Sequence, residues 1–317
     1  MNSGDLLVQL EAYLALEKAL GFSLRGRERL LRDFVAFIQA RDLSGPVRAQ
    51  IALDWACSAS EHCGISGKAA RLSIARRFLV HLSAVIPGTE VPSSALLARP
   101  LRRKPFLFSA EEIRCLLKAA LTLGPQGSLR PHTLSTLLGL LASSGLRASE
   151  ALNLTIGNVL LDLDPPRLEI RQTKFHKSRV VPIHPTVADQ LRHYAERRRR
   201  LNYDGLSDYF FVSERGSRIR YMALYNTFQK LVSSLSIKAR DESRKPSLHS
   251  LRHGFAVNRL RAWYQQGVNA QVLLPQLSVY LGHLEPAHTY WYLSATPELL
   301  SEAARAFAAY ARPGGEP

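Results

Sequence analysis

Apolar residues recur at helical rather than strand spacing along most of this chain, and the first ninety or so residues resolve into four such segments. Asp5–Leu20 stops at Gly21. A second segment, with Ser23 as a cap, carries Leu30, Leu31, Phe34, Phe37 and Ile38 on one face. A third opens near Pro46, carries Ile51, Leu53 and Trp55, and fades before Gly64. The fourth, with Ser66 as its cap, passes through Leu72, Phe78, Leu79 and Leu82 and ends at Pro87–Gly88. The pattern then breaks. VPSSALLARPLRRK has two prolines, small residues and a basic cluster, the composition of an extended linker. These shifts divide the chain into a helical domain over residues 1–92, a linker over 93–107 and a second domain over 108–317.

The second domain opens on a capping box, in which Ser109 caps the helix backbone and Glu112 reaches back. Ile113, Leu116, Leu117 and Ala120 give this helix a buried stripe. The next helix, His132–Ser144, is apolar nearly all round and belongs deep in a core, with Gly145 placed to end it in a left-handed turn. A strand signal follows. Leu168, Ile170 and Gln172 alternate with Glu169 and Arg171, and Val180, Val181 and Ile183 resume after a polar turn at Phe175–Ser178. Pro182 suits an edge strand. With an earlier strand in Val159–Asp162, this predicts a small sheet of about three strands. Helices return from His184–Pro185 to the run Arg197–Arg200, read as a solvated or backbone-contacting face, and again over Tyr221–Leu235. Ser247 caps a helix that starts after Pro246. Leu273, Leu277 and Leu281 form a later stripe ending at Gly282, and Pro286 starts a helix that holds Tyr292 two turns along. A last amphipathic helix is predicted over Glu298–Arg312. The class is therefore mostly α, an all-helical domain joined to a mixed α/β domain with a small antiparallel sheet.

Charge narrows the partners. Of 317 residues, Lys and Arg number 42 against 26 Asp and Glu, a formal charge of +16 that calls for a polyanion. No apolar run approaches the roughly 20 residues of a membrane span, and the first twenty residues lack the features of a signal peptide. Three cysteines without C-x-x-C spacing suit a reducing compartment. Arg25, Arg27, Arg71, Arg76 and Arg77 on the outward faces of the second and fourth helices, with Arg102, Arg103 and Lys104 in the linker, are the candidate phosphate contacts.

Candidate chemistry gathers in the second domain. Arg147 follows the glycine stop in SSGLRASEALNL, with Glu150 on the first turn of the next helix. His249 and Arg252 stand at i and i+3 near a positive helix end, a natural seat for phosphate. His283 follows Gly282, and Tyr292 comes nine residues later. Lys174 and Lys177 flank the strand turn.

These residues resemble the tyrosine recombinases of the phage integrase family: G-L-R-x-S-E, a T-K-x-x-K hairpin, H-x-L-R-H-x-F-A, and L-G-H followed by T-x-x-Y occur in the family's order. The resemblance implies a SAM-like, core-binding helical domain and a catalytic domain that together form a clamp around DNA. It implies Arg147, Lys174, His249, Arg252 and His283 as catalytic residues and Tyr292 as the nucleophile. Lys177 is the alternative to Lys174, and Tyr290 the alternative to Tyr292, although the T-x-x-Y spacing from Thr289 favours the latter. A zinc site at His249, His253, His283 and His288 is not expected, because no cysteine pair or carboxylate completes it.

The chemistry agrees with these roles. Two guanidiniums can clamp a phosphate and offset the charge that grows in the transition state. A tyrosine with pKa near 10 needs a base or a positive field. His249 can accept its proton, His283 can donate to a phosphate oxygen, and Lys174 can protonate the departing 5′-oxygen. The resulting 3′-phosphotyrosine conserves the bond energy, so the expectation includes no cofactor, neither metal nor ATP. The implied function is site-specific recombination of double-stranded DNA at a specific site through a Holliday junction. It would run within a homotetramer joined by the C-terminal helix, in the bacterial cytoplasm at the nucleoid, and serve integration, excision or resolution of a mobile element. No arm-binding domain is expected before the four helices, which points to the compact Xer-like or transposon-borne types. Accessory proteins, and whether the last helix packs on its own domain or a neighbour, stay open. A type IB topoisomerase-like enzyme and a non-catalytic DNA-binding protein are the alternatives.

Overall fold

The chain divides into two compact units that meet in sequence at Arg102 and Arg103. The computed structural model describes residues 3–22, 24, 26–41, 45–59, 63–97, 104–171, 178–240, 244–283, 285 and 287–294. Within the first unit these form α1 (Ser3–Ala19), α2 (Arg27–Gln39), α3 (Ala49–Cys57) and α4 (Ile65–Val85). Their apolar stripes close on one another around Leu10, Phe34, Trp55, Phe78 and Leu82. The helix starts differ from expectation. Gly26, at φ 83°, stands at the head of α2 with no side-chain cap, and Ser23 lies outside the described residues. Gly64 stands at the head of α4, which leaves Ser66 inside the first turn, where its hydroxyl is past the capping position.

In the second unit, α5 (Ala110–Leu121) begins with the expected capping box. Ser109 Oγ accepts from Glu112 N at 3.1 Å and Glu112 Oε2 accepts from Ser109 N at 2.8 Å. Phe106 and Phe108 are buried with α5, so this core starts before Ser109. Helix α6 (Arg130–Ser144) runs through its middle and buries Leu134, Leu137, Leu138, Leu140 and Leu141, as its all-round apolar surface requires. After α7 (Ala148–Ala151), strands β1 (Val159–Leu160), β2 (Arg167–Ile170) and β3 (Arg179–Pro182) pair antiparallel in that order, with Val159 opposite Leu168 and Leu168 opposite Val181. Leu168, Ile170 and Val181 face the core, and Pro182 sits on an outer strand of the described sheet. Lys174 and Lys177, which precede β3 in sequence, lie outside the described residues.

Helices α8 (Pro185–Arg200), α9 (Tyr221–Ser234), α10 (Leu248–Gln265), α11 (Ala270–Leu281) and α12 (Ala287–Tyr290) complete the described unit. The run at the end of α8 is not uniformly solvated. Arg198 is 3 % exposed and bonds Asp204 at 2.6 Å and the Ser207 carbonyl at 2.8 Å, because its place on the helix turns it inward with Leu191 and Tyr194. On α11 the buried stripe is Leu274, Leu277 and Leu281 rather than Leu273, the i, i+3, i+7 spacing of a single helix face. Tyr292 is not two turns into a helix: α12 ends at Tyr290, and Tyr292 lies in the tighter 3-10 turn Trp291–Ser294. The predicted helix Glu298–Arg312 lies outside the described residues.

Gly145 ends α6 in the left-handed conformation at φ 63°, and a Cβ there would stand 2.5 Å from Phe255 Cδ1 and 3.0 Å from Leu281 Cδ2. Gly145→Ala therefore combines backbone strain with overpacking and should lower the stability of the second unit by about 1–3 kcal/mol. Urea unfolding checks this as a lower midpoint at an unchanged slope.

Candidate active site

Two glycine-ended helices define the site. α6 closes at Gly145 and α11 at Gly282, both left-handed. A helix stopped in this way leaves carbonyls of its last turn pointing outward at the negative end of the helix dipole. Guanidiniums take them up. Arg252 donates through Nη1 to Gly145 O at 2.9 Å and through Nη2 to Leu281 O at 2.7 Å. Arg147 donates through Nη2 to Gly282 O at 2.8 Å, and Arg179 through Nε to Tyr280 O at 2.9 Å. Three successive carbonyls at the end of α11 thus each receive a different arginine.

Glu150 binds two of these cations from below. Its carboxylate accepts from Arg147 Nη1 at 2.7 Å and from Arg179 at 3.0 and 2.8 Å, and it also accepts from the Arg147 backbone N–H at 2.9 Å. Burial alone would raise the Glu150 carboxyl, but the hydrogen bonds and charge of Arg179, followed by those of Arg147, hold it down to about 2. Three guanidiniums against this carboxylate leave the cluster positive. Arg252 is 1 % exposed; burial, followed by the charge of Arg147, lowers it to about 10. Its Nε finds no hydrogen-bond partner among the described residues, an unused donor in a buried place.

Tyr292 comes to the same place. It is 2 % exposed, whereas Tyr290 is 46 % exposed and turned outward. Burial raises the phenol above its ordinary 10.0, and the charges of Arg252 and Arg147 oppose the rise. Its hydroxyl lies 3.0 Å from His253 Nδ1, not on His249. The His249 ring stands edge-on to His253 with centroids 4.4 Å apart. Although His249 keeps an edge open to solvent, loss of hydration, then Arg252, Arg147 and Arg244, depress its imidazole to about 4. His283 lies roughly parallel to the Tyr292 ring at 6.2 Å, and its Nδ1 is 2.7 Å from the buried Thr289 hydroxyl.

The structure therefore brings Arg147, His249, Arg252, His283 and Tyr292 into one neighbourhood, while Lys174 falls outside the described residues. Sequence reasoning missed Arg179 and the contact of His253. Position i+4 from His249 was a signal for the second, since it shares that helix face. Arg179 gave no signal, because only the fold carries the start of β3 to the end of α11. Among the expected DNA-contact residues, Arg71 lies over the Trp55 ring at 4.0 Å and bonds Asp33 at 3.2 Å. Arg27 pairs with Glu17 at 3.1 Å, and Arg76 Nε donates to Pro92 O at 3.0 Å. Arg77 and Lys104 are exposed, and Arg25, Arg102 and Arg103 lie outside the described residues.

Residues 107–298 match the phage integrase family. Over 301 residues the chain is 41 % identical to y4rB of Sinorhizobium fredii, named as an integrase/recombinase, covering 93 % of this chain and 95 % of that one. Over 239 residues it is 28 % identical to the tyrosine recombinase XerD of Vibrio cholerae, covering 75 % of this chain and 73 % of that one. Its fold is similar to that of the XerH site-specific recombinase in a post-cleavage complex with a palindromic difH substrate. That match has a TM-score of 0.67 at 16 % identity and covers 88 % of this chain and 78 % of that one. The chain belongs to the phage integrase family, as a site-specific recombinase of the tyrosine type.

Glu150 should couple stability to pH. Its carboxyl sits at about 2 when folded, against an ordinary 4.5. The ionised pair therefore stabilises the fold above the unfolded value, and the stabilisation is lost as pH falls through the folded one. Glu150→Gln should cost about 3 kcal/mol at pH 7, and the gap between variant and parent should close between about pH 5 and 2 in urea titrations. A gap that does not change with pH would refute the pairing.

Proposed function

We propose that Tyr292 attacks a backbone phosphorus of double-stranded DNA held by Arg147 and Arg252, cutting and rejoining strands at a specific site. One observation carries the reading: both guanidiniums are fixed on the last carbonyls of two helices beside a buried phenol. Fixed cations need no reorganisation as charge builds on the phosphate oxygens, which is where such groups act most strongly. The partnerless Arg252 Nε supplies a further donor for an oxygen. His283 lies beside the phenol and His249 against His253, and each can donate to the same phosphate.

In this reaction the bond from the Tyr292 oxygen to phosphorus forms as the bond from phosphorus to the 5′-oxygen breaks. The phenol gives up a proton and the leaving oxygen gains one, from Lys174 in our reading. The 3′-phosphotyrosine then reverses with a strand of the partner duplex, passing through a Holliday junction. Recombining two duplexes cuts four strands, so one tyrosine per chain calls for four chains, joined through the segment after Tyr292. Arg77 and Lys104, with Arg25, Arg27, Arg71, Arg76, Arg102 and Arg103, are assigned to backbone contacts with the duplex. Among the described residues no helix is long and apolar enough to cross a membrane, and we place the reaction at the bacterial nucleoid. Integration, excision or resolution of a mobile element is the outcome we assign, supported by the integrase/recombinase name of y4rB. A topoisomerase-like enzyme and a silent DNA-binding protein are not favoured.

A pool of nicked duplexes with randomised cores tests this directly. The full chain should capture some of them as adducts that survive denaturation and form in EDTA. Tyr292→Phe should abolish capture while binding persists, and Arg147→Ala should slow it about 100- to 1,000-fold. Adducts formed by Tyr292→Phe and lost in Tyr290→Phe would overturn the assignment.

A further inference from the structure

The phenol that makes the attack must lose its proton, and the fold places one basic nitrogen against it. We propose that His253, not His249, is the catalytic residue that accepts the proton of Tyr292, through Nδ1. The inference rests on the reading of Tyr292 as the nucleophile. His253 Nδ1 lies 3.0 Å from the Tyr292 oxygen, within the range in which a general base takes a proton. The ring is fixed on both sides. Trp291 stands edge-on to it at 5.6 Å between centroids and His249 at 4.4 Å, so the nitrogen is held toward the hydroxyl. With Tyr292 donating, the neutral ring carries its own proton on Nε2.

The surroundings explain why the base is idle until DNA arrives. Every ionisable neighbour that acts on His253 opposes a positive charge there: His249 and Arg252 on α10, Arg244 ahead of it, and His283 beyond α11. Burial, and then these groups, depress its imidazole to about 3, so the resting ring is neutral and a weak base. A DNA phosphate placed on Arg147 and Arg252 adds negative charge to the same pocket. It offsets the cations and strengthens the base at the moment the nucleophile is wanted. As the oxygen–phosphorus bond forms and the bond to the 5′-oxygen breaks, the phenol proton passes to Nδ1, giving an imidazolium facing a phosphodiester anion. Religation returns that proton to the phenol as it leaves.

The test is single-turnover cleavage by the full chain, using a duplex recovered from the randomised pool. His253→Asn keeps an acceptor oxygen near the position of Nδ1 but takes no proton, so it preserves packing while removing the base. It should bind DNA like the parent and cleave about 100- to 1,000-fold more slowly. The parent's rate should level off toward high pH once His253 is neutral, whereas that of His253→Asn should keep climbing until the phenol itself ionises. Imidazole added to His253→Gly should restore part of the rate. A His253→Asn rate within about threefold of the parent, or a slow rate with the parent's pH profile intact, would overturn the assignment. The Tyr292→Phe control separates the two claims: adducts that persist in that variant strike the nucleophile itself, and the role of His253 with it. In the DNA-free chain, the nitrogen resonance of His253 Nδ1 should shift when Tyr292 becomes Phe; an unmoved signal would deny the contact.

Discussion

The meeting of like charges at the end of α11 is the constraint on which this site depends. Arg147, Arg179 and Arg252 repel one another, and a buried guanidinium without acceptors is costly. The chain meets that cost mainly with backbone. Carbonyls at Tyr280, Leu281 and Gly282 take one arginine each, Gly145 takes a second hydrogen of Arg252, and Glu150 bridges the other two cations. Residual positive charge remains, and a phosphate is the anion whose geometry matches two forks at once. The phosphate seat proposed here would therefore follow from how the fold solves its own electrostatic problem.

The two glycines belong to the same solution. Each lets its helix stop in a left-handed residue that other side chains adopt only with strain. At Gly282 a Cβ would meet Arg179 Nη1 at 2.6 Å, so the guanidinium itself occupies the space a side chain would need. The apolar packing of α10 on α11 through Val257, Leu260, Leu274 and Leu277 keeps the two helix ends in register with Arg252. Hydrophobic burial here sets the position of a charged group, not only the stability of the unit.

Much of this was legible in the residues, and the parts that were not share a cause. Periodicity located α1 to α6, α8 to α11 and the sheet. The glycine stops and the G-L-R and H-x-L-R-H motifs located Arg147, His249 and Arg252. Local chemistry encodes these features. Arg179 was not legible because its role exists only once β3 and α11, about a hundred residues apart, lie side by side. His253 was visible as a residue but not as the partner of Tyr292, since that contact depends on how the chain turns after α12. The same turn explains the misjudged setting of Tyr292: a short helix gives way to a tighter one, and no single residue announces the change. Capping by Ser66 was not legible because Gly64 heads that helix instead.

Tyr292 as a whole is only 2 % exposed, so bulk water scarcely reaches its side chain. An aryl ester made at its phenol oxygen would inherit the same dry walls of Trp291, His253 and the α10–α11 packing. The fate of such an ester is a contest between hydrolysis, which wastes it, and the returning sugar alcohol, which reseals the strand. In the proposed reaction, burial of the phenol would tilt that contest against the solvent before any partner strand arrives.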